Sequence, residues 1–277
     1  MKWLCYSGLI DYFDSAQQHY PTVKVSILTT LAVICPFLYV FGQTEQEELS
    51  TDRPDQTESS HLVPSGTIQL ETGFIRERDH DLTNFTYNTS LFRIGVSKHF
   101  EFRVIAEYLG LKNANIASDE VVSGIGPLSL GSKIFIADAN GWIPQVALIS
   151  HVTLRNGPSD FSQDFISTDF RFTISYNLTN WLELGTNLGI EWDGSSAAAT
   201  GLYTLAFCMD ATVRLGFFVE FYGFATEQAG QPDHRFNGGV TFMLAELVQF
   251  DFSTGVGLSE VSPENFISTG LSFRLPN

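Results

Sequence analysis

The stretch Trp181-Leu182-Glu183-Leu184-Gly185-Thr186-Asn187-Leu188-Gly189-Ile190-Glu191-Trp192-Asp193 decides the fold class. Leu182, Leu184, Leu188, Ile190 and Trp192 share one parity, and Glu183, Gly185, Asn187, Gly189 and Glu191 hold the other. Side chains on a strand point to opposite faces in turn, so such a segment has one apolar and one polar face. Val248–Leu258 repeats the pattern, with Val248, Phe250, Phe252, Val256 and Leu258 set against Gln249, Asp251, Ser253, Gly255 and Gly257. The alternation recurs about twelve times between Gly66 and Leu275, with no helical pattern between. It predicts an all-β, antiparallel chain whose apolar face meets either a second sheet or lipid.

The spacing predicts strands over 66–79, 84–98, 101–110, 124–138, 142–155, 164–177, 181–193, 201–212, 215–226, 235–244, 248–258 and 265–275. Short connections at 98–101, 138–141, 178–180 and 245–247 alternate with longer polar ones at 111–123, 156–163, 194–200, 227–234 and 259–264. A sandwich has no reason to alternate in this way. An outer-membrane barrel does, with turns on the periplasmic side and loops outside. Closure is then required, because an open sheet edge cannot face lipid. The expected fold is therefore an antiparallel transmembrane β-barrel of about twelve strands.

Composition agrees. Charged residues are 17% of the 277 and aromatics 13%, with 24 Phe; soluble domains typically carry about 25% charged residues. A net charge of −16 argues against binding nucleic acid through its phosphates. The apolar run Val25–Phe41, preceded by Lys24 and followed by Gly42, has the layout of a secretory signal, with Val40 and Gly42 at the −3 and −1 positions. A spanning helix is the alternative, but 17 residues broken by Pro36 is short for one. We expect 1–42 to be a signal peptide whose first 22 residues are an extension ahead of the true start, 43–65 a leader, and 66–277 the barrel. The expected location is the outer membrane of a Gram-negative bacterium. Without the signal only Cys208 remains, so no internal disulfide is expected.

With the apolar parity outward, Glu71, Arg93, Arg103, Glu107, Lys133, Asp169, Arg171, Glu183, Glu191, Glu220, Asp251 and Arg274 all fall inward. They form either a selectivity lining or a network of mutually satisfied ion pairs filling a narrow bore. Outward Phe102, Tyr108, Trp142, Trp192 and Phe273 near strand ends suit interfacial girdles. Ahead of the first strand, Asp52, Arg53, Asp55 and Glu58 crowd around Pro54. Two readings are open for them: a segment folded into the mouth or lumen that constricts the pore, or a solvated periplasmic leader. In the first, Arg53 pairs with Glu71 or Glu183, and Asp52 or Asp55 with the inward arginines.

His151 is inward beside Ser150, but neighbours on one strand point to opposite faces and make no nucleophile–base pair. The other histidines, His61, His80, His99 and His234, fall in the leader, loops or turns. Gly124-Ile125-Gly126 and Gly255-Val256-Gly257 lack the following helix that a phosphate cradle needs. No catalytic site, cofactor or metal is expected.

Thr51-Asp52-Arg53-Pro54-Asp55-Gln56-Thr57-Glu58-Ser59, then Val63-Pro64-Ser65-Gly66 and Gln69-Leu70-Glu71-Thr72-Gly73-Phe74, resembles the opening of the outer-membrane transporter family named for the meta-pathway of phenol degradation. Phe218-Val219-Glu220, Gly238-Gly239-Val240 and the closing Gly270-Leu271-Ser272-Phe273-Arg274-Leu275 extend the resemblance over about 51–275. It implies a barrel that passes small, often hydrophobic or aromatic compounds across the outer membrane. The partners expected are outer-membrane lipid, a small-molecule solute and the barrel-insertion machinery, with the barrel itself a monomer. A lipid-acting barrel enzyme and a structural or adhesive barrel are the rival functions. The first needs a converging Ser/His pair and the second large aromatic-rich external loops.

Overall fold

The computed structural model describes residues 48–115, 121–227 and 230–275. The expected signal peptide, its extension and the first residues of the leader lie outside the described residues. The described chain forms strands β1 Ile68–Asp79, β2 Leu82–Ser97, β3 Phe100–Asn113, β4 Val122–Ile125, β5 Ser129–Ala137, β6 Gln145–Thr153 and β7 Ser167–Asn177. They continue as β8 Leu182–Trp192, β9 Thr200–Asp210, β10 Leu215–Thr226, β11 Asp233–Ala245, β12 Val248–Gly257 and β13 Asn265–Arg274. Strands adjacent in sequence pair antiparallel, save that β4 and β5 both lie on β3, and β1 pairs with β13 to shut the ring.

β4 covers Tyr108–Leu111 of β3, and β5 covers Phe100–Ile105. They share one strand position, so the wall is a closed antiparallel barrel of twelve. The single strand expected over 124–138 is thus interrupted at Gly126-Pro127-Leu128. Pro127 has no N–H for the ladder, which confines it to such breaks. The wall stays stitched there by Gly126 N–H to the Glu107 carbonyl and Leu154 N–H to the Leu128 carbonyl, both 2.9 Å.

Burial is inverted relative to a soluble domain. Phe252 is 44% exposed and Leu188 54%, whereas Glu71, Arg93, Lys133, Asn187 and Asp251 are all 0% exposed. The apolar parity therefore faces outward and the polar parity lines the lumen. Only a barrel jacketed by lipid makes that arrangement favourable, since a charge at the bilayer midplane costs about 2–4 kcal/mol for Arg or Lys. Exposed Trp142 and Trp181 stand at the short-connection end, where the interface would lie. Trp142 sits in the connection 138–144 rather than in a strand.

Connections of 98–99, 138–144, 178–181, 211–214 and 246–247 mark one end. At the other are 80–81, 154–166, 193–199 and 258–264, and there β3 ends at Asn113 and β10 at Thr226. The first hairpin breaks the length rule, turning in two residues with His80 at φ 51°.

Candidate functional site

Residues 48–65 enter and leave the barrel at the short-connection end. On the way in, the Glu48 carbonyl accepts from Arg274 (3.2 Å) and the Ser50 carbonyl from Gln69 (2.8 Å) and Arg93 (3.2 Å). On the way out, Val63 N–H donates to Glu101 (2.8 Å) and Gly66 N–H to the Gly95 carbonyl (2.7 Å). Between these anchors the segment crosses the lumen. Gln249 donates to the Thr51 hydroxyl (3.0 Å), Thr57 bonds Thr204 (2.6 Å) and Glu220 (2.5 Å), and Glu58 N–H donates to Asn187 (2.7 Å). It thus touches strands on opposite sides of the ring.

Glycines make the close approach possible. A Cβ at Gly73 or Gly270 would lie 2.5 or 2.3 Å from the Arg53 guanidinium, and one at Gly95 would lie 2.1 Å from the Pro64 carbonyl oxygen. Glycine within a strand often marks a close approach of backbone or side chain, and these three seat the leader.

The charges are tightly matched at this waist. Asp52 accepts from Arg103 (2.7 Å) and Lys133 (2.8 Å) and lies 3.2 Å from Arg93. Glu71 accepts from the backbone N–H groups of Asp52 (2.9 Å) and Arg53 (3.1 Å) and from Arg93 (2.9 Å). Arg53 reaches Asp251 (3.0 Å) and Ser268 (2.9 Å), and Glu58 reaches Arg103 (2.7 Å) and Arg171 (3.3 Å). Burial pushes the Asp52 carboxyl up, but Arg93, Lys133 and Arg103 together outweigh it and hold the group well below the usual carboxylate range. Glu58 is likewise held low, Arg103 and Arg171 prevailing over burial. Asp55 goes the other way: burial, then the charge of Glu220, raises its carboxyl well above the usual range.

One expected pairing is corrected. The Arg53 side chain takes Asp251 rather than Glu71 or Glu183, because Glu71 is already filled by Arg93 and two backbone donors. Of the two acids expected to reach the inward arginines, Asp52 does so, and Asp55 meets Glu220, Asp52 and Glu183. His234 lies on β11, on the outer face, bonded to the Tyr203 hydroxyl and stacked on Phe221, rather than in a loop.

The remaining inward residues spread along the lumen. Asp169 accepts from His151 Nδ1 (3.0 Å), while His151 Nε2 accepts from Arg103 (3.1 Å), which fixes the ring tautomer. Ser150 instead bonds Ser132 on the outer face (3.2 Å), so the two neighbours form no catalytic pair. Arg274 donates to Gln69 (3.1 Å), and Glu191 lies opposite Asp169 across the β7–β8 ladder. Glu183 lines a cavity of about 430 Å³ at the short-connection end, with Asp210 and Cys208. Glu107 lines a second, of about 310 Å³, towards the loops. Arg53, Pro54, Asp55 and Glu58 border both cavities, so the leader is the partition between them.

Sequence reasoning missed Glu101, which holds Arg93 at 2.9 Å. Its alternation with Phe100 and Phe102 was available, but the 98–101 turn assignment hid it. It also missed the Asp233–Arg235–Glu77 cluster, where Arg235 stands 3.0 Å from Glu77 and over the Tyr222 ring.

Comparison with known proteins places the architecture. An outer membrane channel of Pseudomonas putida F1 superposes with a TM-score of 0.61 at 12% identity, covering 80% of this chain and 99% of that one. The NanC porin does so with a TM-score of 0.53 at 10% identity, covering 75% of this chain and all of that one. At these identities the likeness is one of fold. Among curated proteins no sequence matches. Residues 51–275 match the family model described as "Putative MetA-pathway of phenol degradation", and the chain belongs to that family.

Proposed function

We propose that this protein is an outer-membrane channel for the passive or facilitated uptake of small solutes, among them hydrophobic or aromatic ones, gated by its own leader. The observation that carries the reading is the pair of lumen cavities separated by a hydrogen-bonded segment of the same chain. A closed barrel with a polar interior offers one route across the bilayer, and residues 52–58 stand across it. Family membership and the likeness to channel folds support solute passage over an adhesive or enzymatic role. Orientation follows from connection length, with the short turns and the leader on the periplasmic side. The protein works as a monomer in outer-membrane lipid, delivered by the barrel-insertion machinery. Asp52, Arg53, Asp55 and Glu58 act as the movable part. Glu71, Arg93, Arg103, Lys133, Asp169, Arg171, Glu183, Glu191, Glu220, Asp251 and Arg274 form the wall it closes against, and Glu107 lines the cavity beyond.

Deleting 51–59 tests this. The barrel wall lies outside the deletion, so the variant is expected to fold and to show raised single-channel conductance in planar bilayers and faster entry of 2-phenylethanol into proteoliposomes. Unchanged conductance and entry in a folded deletion variant would remove the leader from the transport path.

A further inference from the structure

The outer face of the barrel wall is nearly free of charge, and the charge it has is gathered in one patch. On the strands of the described residues, three Asp, Glu, Lys or Arg side chains fall on the outward parity: Arg76, Arg78 and Lys112. All three are basic, in a chain of net charge −16. The ladder brings them together. Arg78 of β1 stands opposite Thr83 of β2, and Thr83 opposite Lys112 of β3, so one row crosses three strands. Neighbouring strands lie about 4.8 Å apart, which makes that row about 10 Å wide. The next outward row towards the middle of the wall runs Arg76, Phe85, Gly110. Arg76 makes no ion pair among the described residues. Arg78 meets Glu264 at 2.8 Å, but both side chains are largely exposed, and such pairs hold little. Of the other acids at this rim, Asp79 is bonded to His80 (2.8 Å) and Asp81 to Asn115 (2.9 Å).

Height along the wall sets what these charges meet. From Ile68 to Arg78 a strand rising about 3.3 Å per residue and tilted about 40° climbs about 25 Å, the height of a barrel's apolar band. An aromatic cluster lies beside and below the arginines on the same face. The Tyr87 ring stands 5.4 Å from Phe85 and nearly parallel to it, 5.8 Å from Tyr108 and 6.4 Å from Phe74. Tyr87 lies over Gly110, where a Cβ would come within 2.5 Å of the ring. Aromatic girdles mark the boundary between lipid and water, and an outward Arg or Lys is cheap only near that boundary. The patch therefore sits at headgroup level, at the loop end of the wall.

We propose that Arg76 and Arg78, with Lys112 beside them, form a binding site for the phosphate of a membrane lipid, whose acyl chains lie on the aromatic cluster of β1–β3. A guanidinium presents five donors in a planar fork that matches phosphate oxygens, and an ammonium adds three. A soluble acidic partner would have to displace lipid chains from this wall, whereas an anionic lipid brings charge and tail together. A zwitterionic lipid already carries a cation beside its phosphate and gains less from the arginines. By the orientation proposed from connection length, on which this point alone rests, the lipid belongs to the outer leaflet. The site is a property of the outer wall and does not depend on what the lumen conducts.

The test titrates the full mature protein in non-ionic detergent, by native mass spectrometry, with three lipids of identical chains: dioleoyl phosphatidate, dioleoylphosphatidylcholine and dioleoylglycerol. The phosphatidate should bind at least about tenfold more tightly than either of the others, as charge-assisted contacts to its phosphate require. Arg76→Gln with Arg78→Gln should abolish that preference. Lys98→Gln with Arg214→Gln, which removes as much charge at the short-connection end, should keep it. Equal affinity for the three lipids in the wild type overturns the proposal without recourse to any variant. So does a preference that survives in the Arg76 and Arg78 variant, or one lost equally in both variants, which would mark non-specific attraction. Displacement of the phosphatidate by equimolar inorganic phosphate would show that the anion alone is held, and would overturn the lipid assignment. Binding in detergent is read without regard to leaflet, so a reversed orientation would leave these affinities unchanged. Conductance, measured separately, bears on the channel reading alone.

Discussion

The waist of the lumen and the chamber above it are built from the same strands and the same parity, yet they handle charge in opposite ways. At the waist Asp52 has Arg93, Arg103 and Lys133 within 3.2 Å, and Arg53 has Asp251. Some 310 Å³ of cavity further along, Glu107 has only a hydroxyl and Asn237 Oδ1 has nothing. The charges of Asp52 and Arg53 at the waist are matched within the protein, whereas Glu107 has no cationic partner among the described residues. A region whose charges satisfy one another is suited to holding a segment in place.

The largest effect should come from breaking the waist. Asp52→Ala takes from Lys133 its salt-bridge partner, while Arg93 and Arg103 keep Glu71, Glu101 and Glu58, and removing one partner of a buried ion pair commonly costs about 3–5 kcal/mol. The loss should appear as a lower urea midpoint in lipid vesicles, or, if only the leader detaches, as an unchanged midpoint with raised conductance. Glu107→Gln in the chamber should cost nothing measurable, because it removes a half-buried charge with no cationic partner among the described residues and the Gln oxygen can still accept from Thr89. Equal losses at both sites would erase the distinction between the two regions.

Much of this was legible from the chain. Two-residue alternation locates the wall and its two faces, because a strand's side chains have a strict period of two. The same parity carries Glu71, Arg93, Lys133 and Asp251 to the lumen, where all are 0% exposed. What parity cannot supply is which wall residues the leader meets. Asp251 lies 198 residues from Arg53 in sequence, and the pairing depends on how deep the leader sits and on which partners are already filled. The break in the fourth strand was hidden for a simpler reason. Pro127 within an apolar run demotes a strand, and Gly126 beside it marks an irregularity, but both were read through.

A middle-sized effect should follow from the glycines that seat Arg53. Gly270→Val and Gly73→Val each place a Cβ within 2.5 Å of the guanidinium. The contact is with the end of a flexible side chain, so Arg53 can swing aside, leaving Asp251 and Ser268 without their donor. Overpacking of this kind typically costs about 1–3 kcal/mol. The two variants should raise conductance in a way that Arg53→Ala does not add to, since each acts through that one contact. Additive effects of Gly270→Val and Arg53→Ala would show that the glycine matters to the wall itself.

The smallest effect is a pH dependence, and the two acids of the leader give it opposite signs. Asp52 is held well below the usual range, so its contribution to leader docking is complete above about pH 4, the ordinary aspartate value, and is lost only as pH falls below that. Asp55 is raised well above the usual range by burial and by Glu220, so the docked leader keeps a proton that a solvated leader gives up. Its contribution is whole below about pH 4 and declines as pH climbs towards the raised value. Docking should therefore be tightest in mild acid and should loosen as pH rises, read as conductance climbing above about pH 4. Asp55→Asn cannot lose a proton, so it should flatten that rise while leaving the low-conductance state intact. A wild-type profile that is flat, or one that falls with rising pH, would mean that Asp55 is already ionised beside Glu220 and that the waist holds by its ion pairs alone.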